Sequence, residues 1–184
     1  SVICSFSNFS GVNLDGTILH ATNFNKADLS GQDFTVTDSI TDGLTFIEAN
    51  LSNSNFEGVD LSPKEQFSAV FKNKAYLMRG ITQTLEAELM IKQDLFGDML
   101  RIIIISSEVR GNDLAVTYIF FNTFALANLE NANFKNADLR NTNFYSANLT
   151  NANLSGANLQ DAILDNAILT GANLKCINHP ICNS

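Results

Sequence analysis

Cysteine and histidine come closest together near the end of the chain, in Cys176-Ile177-Asn178-His179-Pro180-Ile181-Cys182. These residues make three zinc ligands where structural zinc normally takes four, and the sequence holds no second cluster to complete the set. The two cysteines can instead close a small loop as a disulfide, which would point to an oxidising compartment. Two free thiols at a chain end fit the same residues. The third cysteine, Cys4, falls at an inward position of the pattern described below and reads as a buried thiol.

Catalysis needs polar groups that converge and shift one another's pKa values. The chain has only two histidines, His20 and His179, near opposite ends, and nothing in the pattern selects a serine or aspartate to join either. Gly11 and Gly16 begin the spacing of a phosphate loop, but no Lys-Ser or Lys-Thr follows. The expectation is a protein that is not an enzyme, with no catalytic residues, no metal and no cofactor.

With 184 residues, 45% hydrophobic and only 16% charged, the chain can bury a substantial core. Asn, Ser and Thr must supply much of its solubility. Its most apolar runs, Ile102–Ile105 and Leu114–Phe121, are too short to span a membrane. No basic, apolar leader opens the sequence, although it begins at Ser. A soluble, cytoplasmic protein is favoured over an exported or lumenal one, with the cysteines leaving the compartment open.

The second half repeats every five residues. Leu or Phe stands at 129, 134, 139, 144, 149, 154, 159, 164, 169 and 174. Two residues earlier stand nine alanines and Thr142; immediately before each centre stands Asn or Asp, except at Ile163 and Ile168. A straight helix would rotate successive centres by roughly 140°, and a straight strand would alternate them between faces. Only a chain that bends once per repeat keeps every centre on one side. Each short extended piece then points the centre and the Ala inward, and the Asn between them outward.

The tandem A-N-L-x-x and A-D-L-x-x units, carried by Ala127-Asn128-Leu129, Ala137-Asp138-Leu139, Ala152-Asn153-Leu154 and their neighbours, resemble the pentapeptide repeat family. The resemblance implies an all-β solenoid of bacterial type: a right-handed quadrilateral β-helix, four repeats per coil. It places Phe124 one coil from Phe144, with Phe134 across the core.

The first sixty residues follow the pattern more loosely, with centres at Phe9, Leu14, Leu19, Phe24, Leu29 and Phe34, then Phe46, Leu51, Phe56 and Leu61. Thr37–Gly43 shifts the frame by two and reads as a bulge at a corner. The frame also extends backwards from Leu129 through Phe124, Ile119 and Leu114, for about six coils in all. Between the blocks, Ser62-Pro63-Lys64-Glu65 has the form of a helix-capping box, and apolar residues such as Phe67, Val70, Phe71, Leu77 and Met78 follow near helical spacing. Degenerate pentapeptides compete for this segment but would bury Glu86 and Arg101. The expected organisation is a first repeat block over 1–61, a helical insertion over 62–101, a second block over 102–178 and a tail over 179–184.

Charge is uneven. Residues 1–61 carry eight acids against Lys26 alone, whereas residues 129–184 carry four acids and three bases. Direct nucleic-acid binding is disfavoured, because phosphates would be repelled. A stiff solenoid suits a protein-binding or scaffolding role with a protein partner that the sequence does not identify. The alternative comes from the resemblance: some family members mimic B-form DNA and bind DNA gyrase or topoisomerase IV. On that analogy Asp15, Asp28 and Asp33, all outward by phase, would form the partner surface.

Overall fold

The computed structural model describes residues 3–19, 22–37, 39–40, 43–63, 67–71, 102–110 and 113–182. It divides into two compact units, Ser1–Pro63 with Phe121–Ser184, and Lys64–Phe120.

In the first unit the backbone turns a corner every five residues. Across each corner the amide N–H three residues past a centre donates to that centre's carbonyl, as in Ala132 N to Leu129 O at 3.0 Å. At most corners the turn is of the kind that takes a left-handed residue at its third position. Asn131, Asn136, Asn141 and Asn151 supply it with φ near 60°, and Gly156 with φ 72°. A Cβ at Gly156 would also collide with the Asn136 amide oxygen one coil away, so this corner takes glycine for two reasons.

Four corners close a coil, and coils join through single parallel rungs. Side one stacks Ile3, Asn23, Thr45, Thr123, Asn143 and Ile163. Side two stacks Asn8, Asp28, Asn50, Asn128, Asn148 and Ile168. Side three runs from Asp33 through Asn55, Asn133 and Asn153 to Asn173, and side four from Asp60 through Asp138 and Asn158 to Ile177. On the N-terminal part of side four, β1 (Ile18–Leu19) pairs in parallel with β2 (Ser39–Ile40). The two extra residues of the corner there are absorbed between the rungs at Asn23 and Thr45.

The inward residues sort by side. Phe24, Phe46, Phe124 and Phe144 stack along side one, with centroids 4.8–5.3 Å apart in successive pairs and planes within 7°. Phe34, Phe56 and Phe134 stack along side three at 4.2 and 4.9 Å. Between the two columns the rings meet edge to face, Phe124 against Phe134 at 5.9 Å and Phe134 against Phe144 at 5.8 Å. Leu29, Leu51, Leu129 and Leu149 fill side two, and Leu61, Leu139 and Leu159 fill side four, all buried. Stacked and T-shaped rings add roughly 0.5–1.5 kcal/mol per pair beyond area burial. The expected placing of Phe124, Phe144 and Phe134 is the one observed.

The ladder steps directly from Thr45 to Thr123 and from Asp60 to Asp138, so the coils continue across the interruption. Asn122 makes the join. It sits at an inward position that alanine usually holds, fully buried; its Oδ1 accepts from Leu44 N at 2.9 Å and its Nδ2 donates to Leu61 O at 3.0 Å. One side chain thus ties the beginning of the interrupted coil to its end.

The second unit corrects the sequence reading. Phe67–Phe71, expected to be helical, is strand β3, and no helix occurs among the described residues. It pairs antiparallel with β5 (Asp113–Phe120), which also pairs antiparallel with β4 (Ile102–Arg110), giving the order β3-β5-β4. The sequence FSAVF is aromatic, small and β-branched, and a partner strand far along the chain outweighs a weak helical period. Of the expected cap, Ser62 Oγ donates to Asp60 Oδ1 at 2.6 Å, while Lys64 and Glu65 lie outside the described residues. The rest of the expected helical insertion, 64–66 and 72–101, lies outside the described residues. Leu114 and Ile119, centres of the backward frame, belong to β5, so the coils resume only at Thr123.

Substituting Asn122 by Leu leaves the Leu44 amide and the Leu61 carbonyl buried without partners. The expected cost is about 2–4 kcal/mol, from two unsatisfied groups. Urea denaturation of Asn122→Leu checks it, and a midpoint within error of the parent would show that the join is made elsewhere.

Candidate interaction surface

Most outward amides are occupied by the fold itself. On side two, Asn50 Nδ2 donates to Asp28 Oδ1 at 3.0 Å, Asn128 to Asn50 at 3.3 Å, and Asn148 to Asn128 at 3.1 Å. On side three the same ladder runs Asn55 to Asp33, Asn133 to Asn55 and Asn153 to Asn133, at 3.1–3.3 Å. Each Oδ1 also accepts the amide two residues on, as Asn153 does from Ser155 at 3.1 Å. These groups hold coils together and leave little for a ligand. A partner must instead read the corners and whatever interrupts the ladders.

The three aspartates singled out from sequence do not form one group. Asp15 and Asp33 are exposed and lie on side three in adjacent coils, joined by the bond from Gly16 N to Val36 O at 3.1 Å. Asp28 is half-buried on side two. Its carboxyl is held below the ordinary range by the Ser30 hydroxyl and amide and then by Asn50, against a small opposing effect of burial. Asp33 is lowered likewise by the Thr35 hydroxyl, 2.6 Å away, then by the Thr35 amide and Asn55. Three other acids are paired with bases: Glu48 with Lys26 at 3.4 Å, Glu57 with Lys135 at 2.8 Å, and Asp138 with Arg140 at 2.8 Å. The lysine lowers the Glu57 pKa, with help from Asn133, and Asp138 raises that of Arg140. The acidity of the first block is thus distributed around the solenoid and partly neutralised.

The end carries the remaining candidates. Cys176 and Cys182 are joined, with the sulfurs 2.12 Å apart, so neither offers a thiolate to a metal. Cys176 is buried, while Cys182 and Ile181 are half-buried against the core. Within the loop His179 Nδ1 accepts from Ile181 N at 3.3 Å. Cys4, expected to be buried, is a free thiol and only half-buried. In the same coil Ile3 and Phe6 are 80% and 76% exposed. His20 lies outside the described residues. Among the described residues no helix is long and apolar enough to cross a membrane.

Sequence reasoning missed Asn122 and the pairing of Glu57 with Lys135. The signal for the second was present in the phase, since both residues directly follow a centre. The 78 positions between them concealed that they are one coil apart.

A solenoid of four five-residue sides, with Leu and Phe inward and Asn ladders outward, defines a repeat protein built for surface. The pentapeptide repeat model matches residues 3–35, 37–62, 124–161 and 147–178 in eight copies, more than half of the chain, and the chain belongs to that family. Its members with solved structures fold as right-handed quadrilateral β-helices. Among solved structures, the chain is similar to the pentapeptide repeat protein Rfr23 from the cyanobacterium Cyanothece 51142, at 20% identity over 97% of this chain and 83% of that one, TM-score 0.23. It is also similar to HetL of Nostoc sp. strain PCC 7120, involved in heterocyst differentiation regulation, at 19% identity over 95% and 63%, TM-score 0.29. QnrB1, a plasmid-mediated fluoroquinolone resistance protein, matches at 17% identity over 94% and 70%, TM-score 0.25. No curated protein matches in sequence. The family assignment rests on the repeats and not on these superpositions.

Two predictions follow from the geometry. Reducing the Cys176–Cys182 bond is expected to raise the intact mass by about two daltons and to lower stability by about 2 kcal/mol, the loop-entropy estimate for a short closed loop. Mass spectrometry and paired thermal melts measure both, and an unchanged mass would mean that the bond is absent in solution. For the acids, folded pKa values below the ordinary 3.8 mean stability that is present above that value and lost as pH falls through the folded ones. An Asp28→Asn/Asp33→Asn variant should therefore lose less stability than the parent on acidification through that window. Parallel slopes in acid titration of the melting temperature would contradict this.

Proposed function

We propose that this chain is a non-enzymatic scaffold that binds a protein partner through the corners of its solenoid. The carrying observation is the division of labour among side chains. The interior is closed by Phe and Leu, fully buried from Phe24 to Leu159 within the coils, and the outward amides bond coil to coil. What remains displayed is a rigid surface of corner residues, charged in places, on a repeating frame. That frame suits recognition of a macromolecular surface, which needs area and fixed spacing more than a pocket.

A second reading, an acidic modulator of DNA gyrase or topoisomerase IV, draws on Asp15 and Asp33 being exposed in adjacent coils. The half-buried, hydrogen-bonded Asp28 and the Lys26–Glu48 and Lys135–Glu57 pairs weaken it, because a DNA mimic benefits from unpaired charge along its length.

The two readings separate in one set of assays. On the scaffold reading the full chain leaves gyrase supercoiling and topoisomerase IV decatenation unchanged, while crosslinking in extracts yields a partner whose purified form binds saturably. On the other, the full chain inhibits one of these enzymes. The triple change of Asp15, Asp28 and Asp33 to Asn and added salt should then each relieve the inhibition. Inhibition with that pattern would replace the scaffold proposal, and failure to find any saturable partner would remove its support.

A further inference from the structure

We propose that the corner following side three is a docking surface for a second copy of this chain, laid antiparallel to the first. This goes beyond the scaffold reading, because it requires no other partner. The first residues past the side-three centres stack through six coils as Asp15, Thr35, Glu57, Lys135, Ser155 and Lys175. Backbone bonds fix that register: Gly16 N to Val36 O at 3.1 Å, then Gly58 N to Lys135 O, Asn136 N to Ser155 O and Gly156 N to Lys175 O, each at 2.9 Å. The remaining step is the rung between Asp33 and Asn55.

Charge along this column changes sign once. The three N-terminal coils present Asp15, Asp33 beside Thr35, and Glu57; the three C-terminal coils present Lys135 and Lys175. The change falls between the third and fourth coils, where Lys135 Nζ meets Glu57 Oε1 at 2.8 Å. A two-fold axis through that point, perpendicular to the solenoid, brings Asp15 of each copy opposite Lys175 of the other. It also brings the two Glu57–Lys135 pairs together with opposite charges facing. A surface that is its own complement under a two-fold rotation is the requirement for an isologous dimer. A parallel alignment of the same two corners puts like charges together and is repelled.

The end residues are ready for this contact. Asp15 and Lys175 are exposed, and neither side chain has an ion-pair partner among the described residues. Their separation, five coil intervals of about 4.8 Å or roughly 24 Å, sets the length of the contact. Next along the corner stand Gly16, Gly58 and Gly156. The two-fold sets each of them opposite a residue with a side chain, Cys176, Asn136 and Val36 respectively, so only one side chain stands between the backbones at each of these levels. Exposed ion pairs are individually weak, which makes the association modest and sensitive to salt.

Sedimentation equilibrium on the purified full chain tests the proposal. At about 50 mM salt a monomer–dimer equilibrium is expected, and its dissociation constant should rise at least about tenfold at 500 mM. Lys175→Glu and Asp15→Lys should each weaken the dimer by a similar factor, because each sets like charges opposite one another at both ends. Combining the two reversals restores opposite signs and should return the constant to within about threefold of the parent. Thermal melts of each variant establish that it is folded. A monomer at low salt and millimolar concentration overturns the proposal, as does a dimer indifferent to Lys175→Glu, or a double variant no tighter than the singles.

Discussion

The hydrogen bond across each corner, from the amide three residues past a centre back to that centre's carbonyl, sets the conditions for everything else in the solenoid. At most corners it is made with a left-handed residue, a conformation that Asn and Gly accept most readily. It leaves only about three extended residues per side, too few to pair as an independent strand. The remaining backbone groups must find partners in the coil above or below, as in Leu129 N to Asn148 O at 2.8 Å and Asn148 N to Ala127 O at 2.9 Å. A single coil is therefore incomplete, and stability comes from stacking.

Stacking in turn fixes the interior. Residues that repeat every coil meet their equivalents at the strand–strand distance, which is also a good distance for parallel aromatic rings. That coincidence lets Phe columns on sides one and three run parallel within a column and edge to face between columns. The arrangement tolerates local error. Two extra residues before Thr45 are taken up at one corner, and a whole second unit leaves after Pro63 and returns at Phe121. Asn122 makes the larger interruption affordable by replacing two main-chain partnerships with side-chain ones.

The same bonding decides where function can reside. Asn ladders use the outward amides for cohesion, so the sides are chemically quiet and the corners carry identity. There the charges fall in pairs that join coils, with Lys26 over Glu48 and Lys135 beside Glu57. The first coil leaves Ile3 and Phe6 exposed, whereas the last is closed by the loop between Cys176 and Cys182.

The five-residue period, the inward Leu and Phe and the outward Asn are local facts repeated many times, so the sequence alone determined a solenoid of bent repeats and its phase. The stacking of Phe124 on Phe144 followed from the four-repeat coil that the family resemblance implied. The sequence also carried an unused signal for the corners, in the Asn and Gly that stand two residues past many of the centres. Tertiary structure decided what depends on residues far apart. Phe67–Phe71 is a strand because β5, more than forty positions later, pairs with it, and no local period could announce that. Asn122 is structural because Leu44 and Leu61 converge on it. Glu57 meets Lys135 only because the coils close over the interruption between them. A short repeat writes its own fold into the chain many times over, whereas a contact made once, across a long insertion, is written nowhere until the chain has folded.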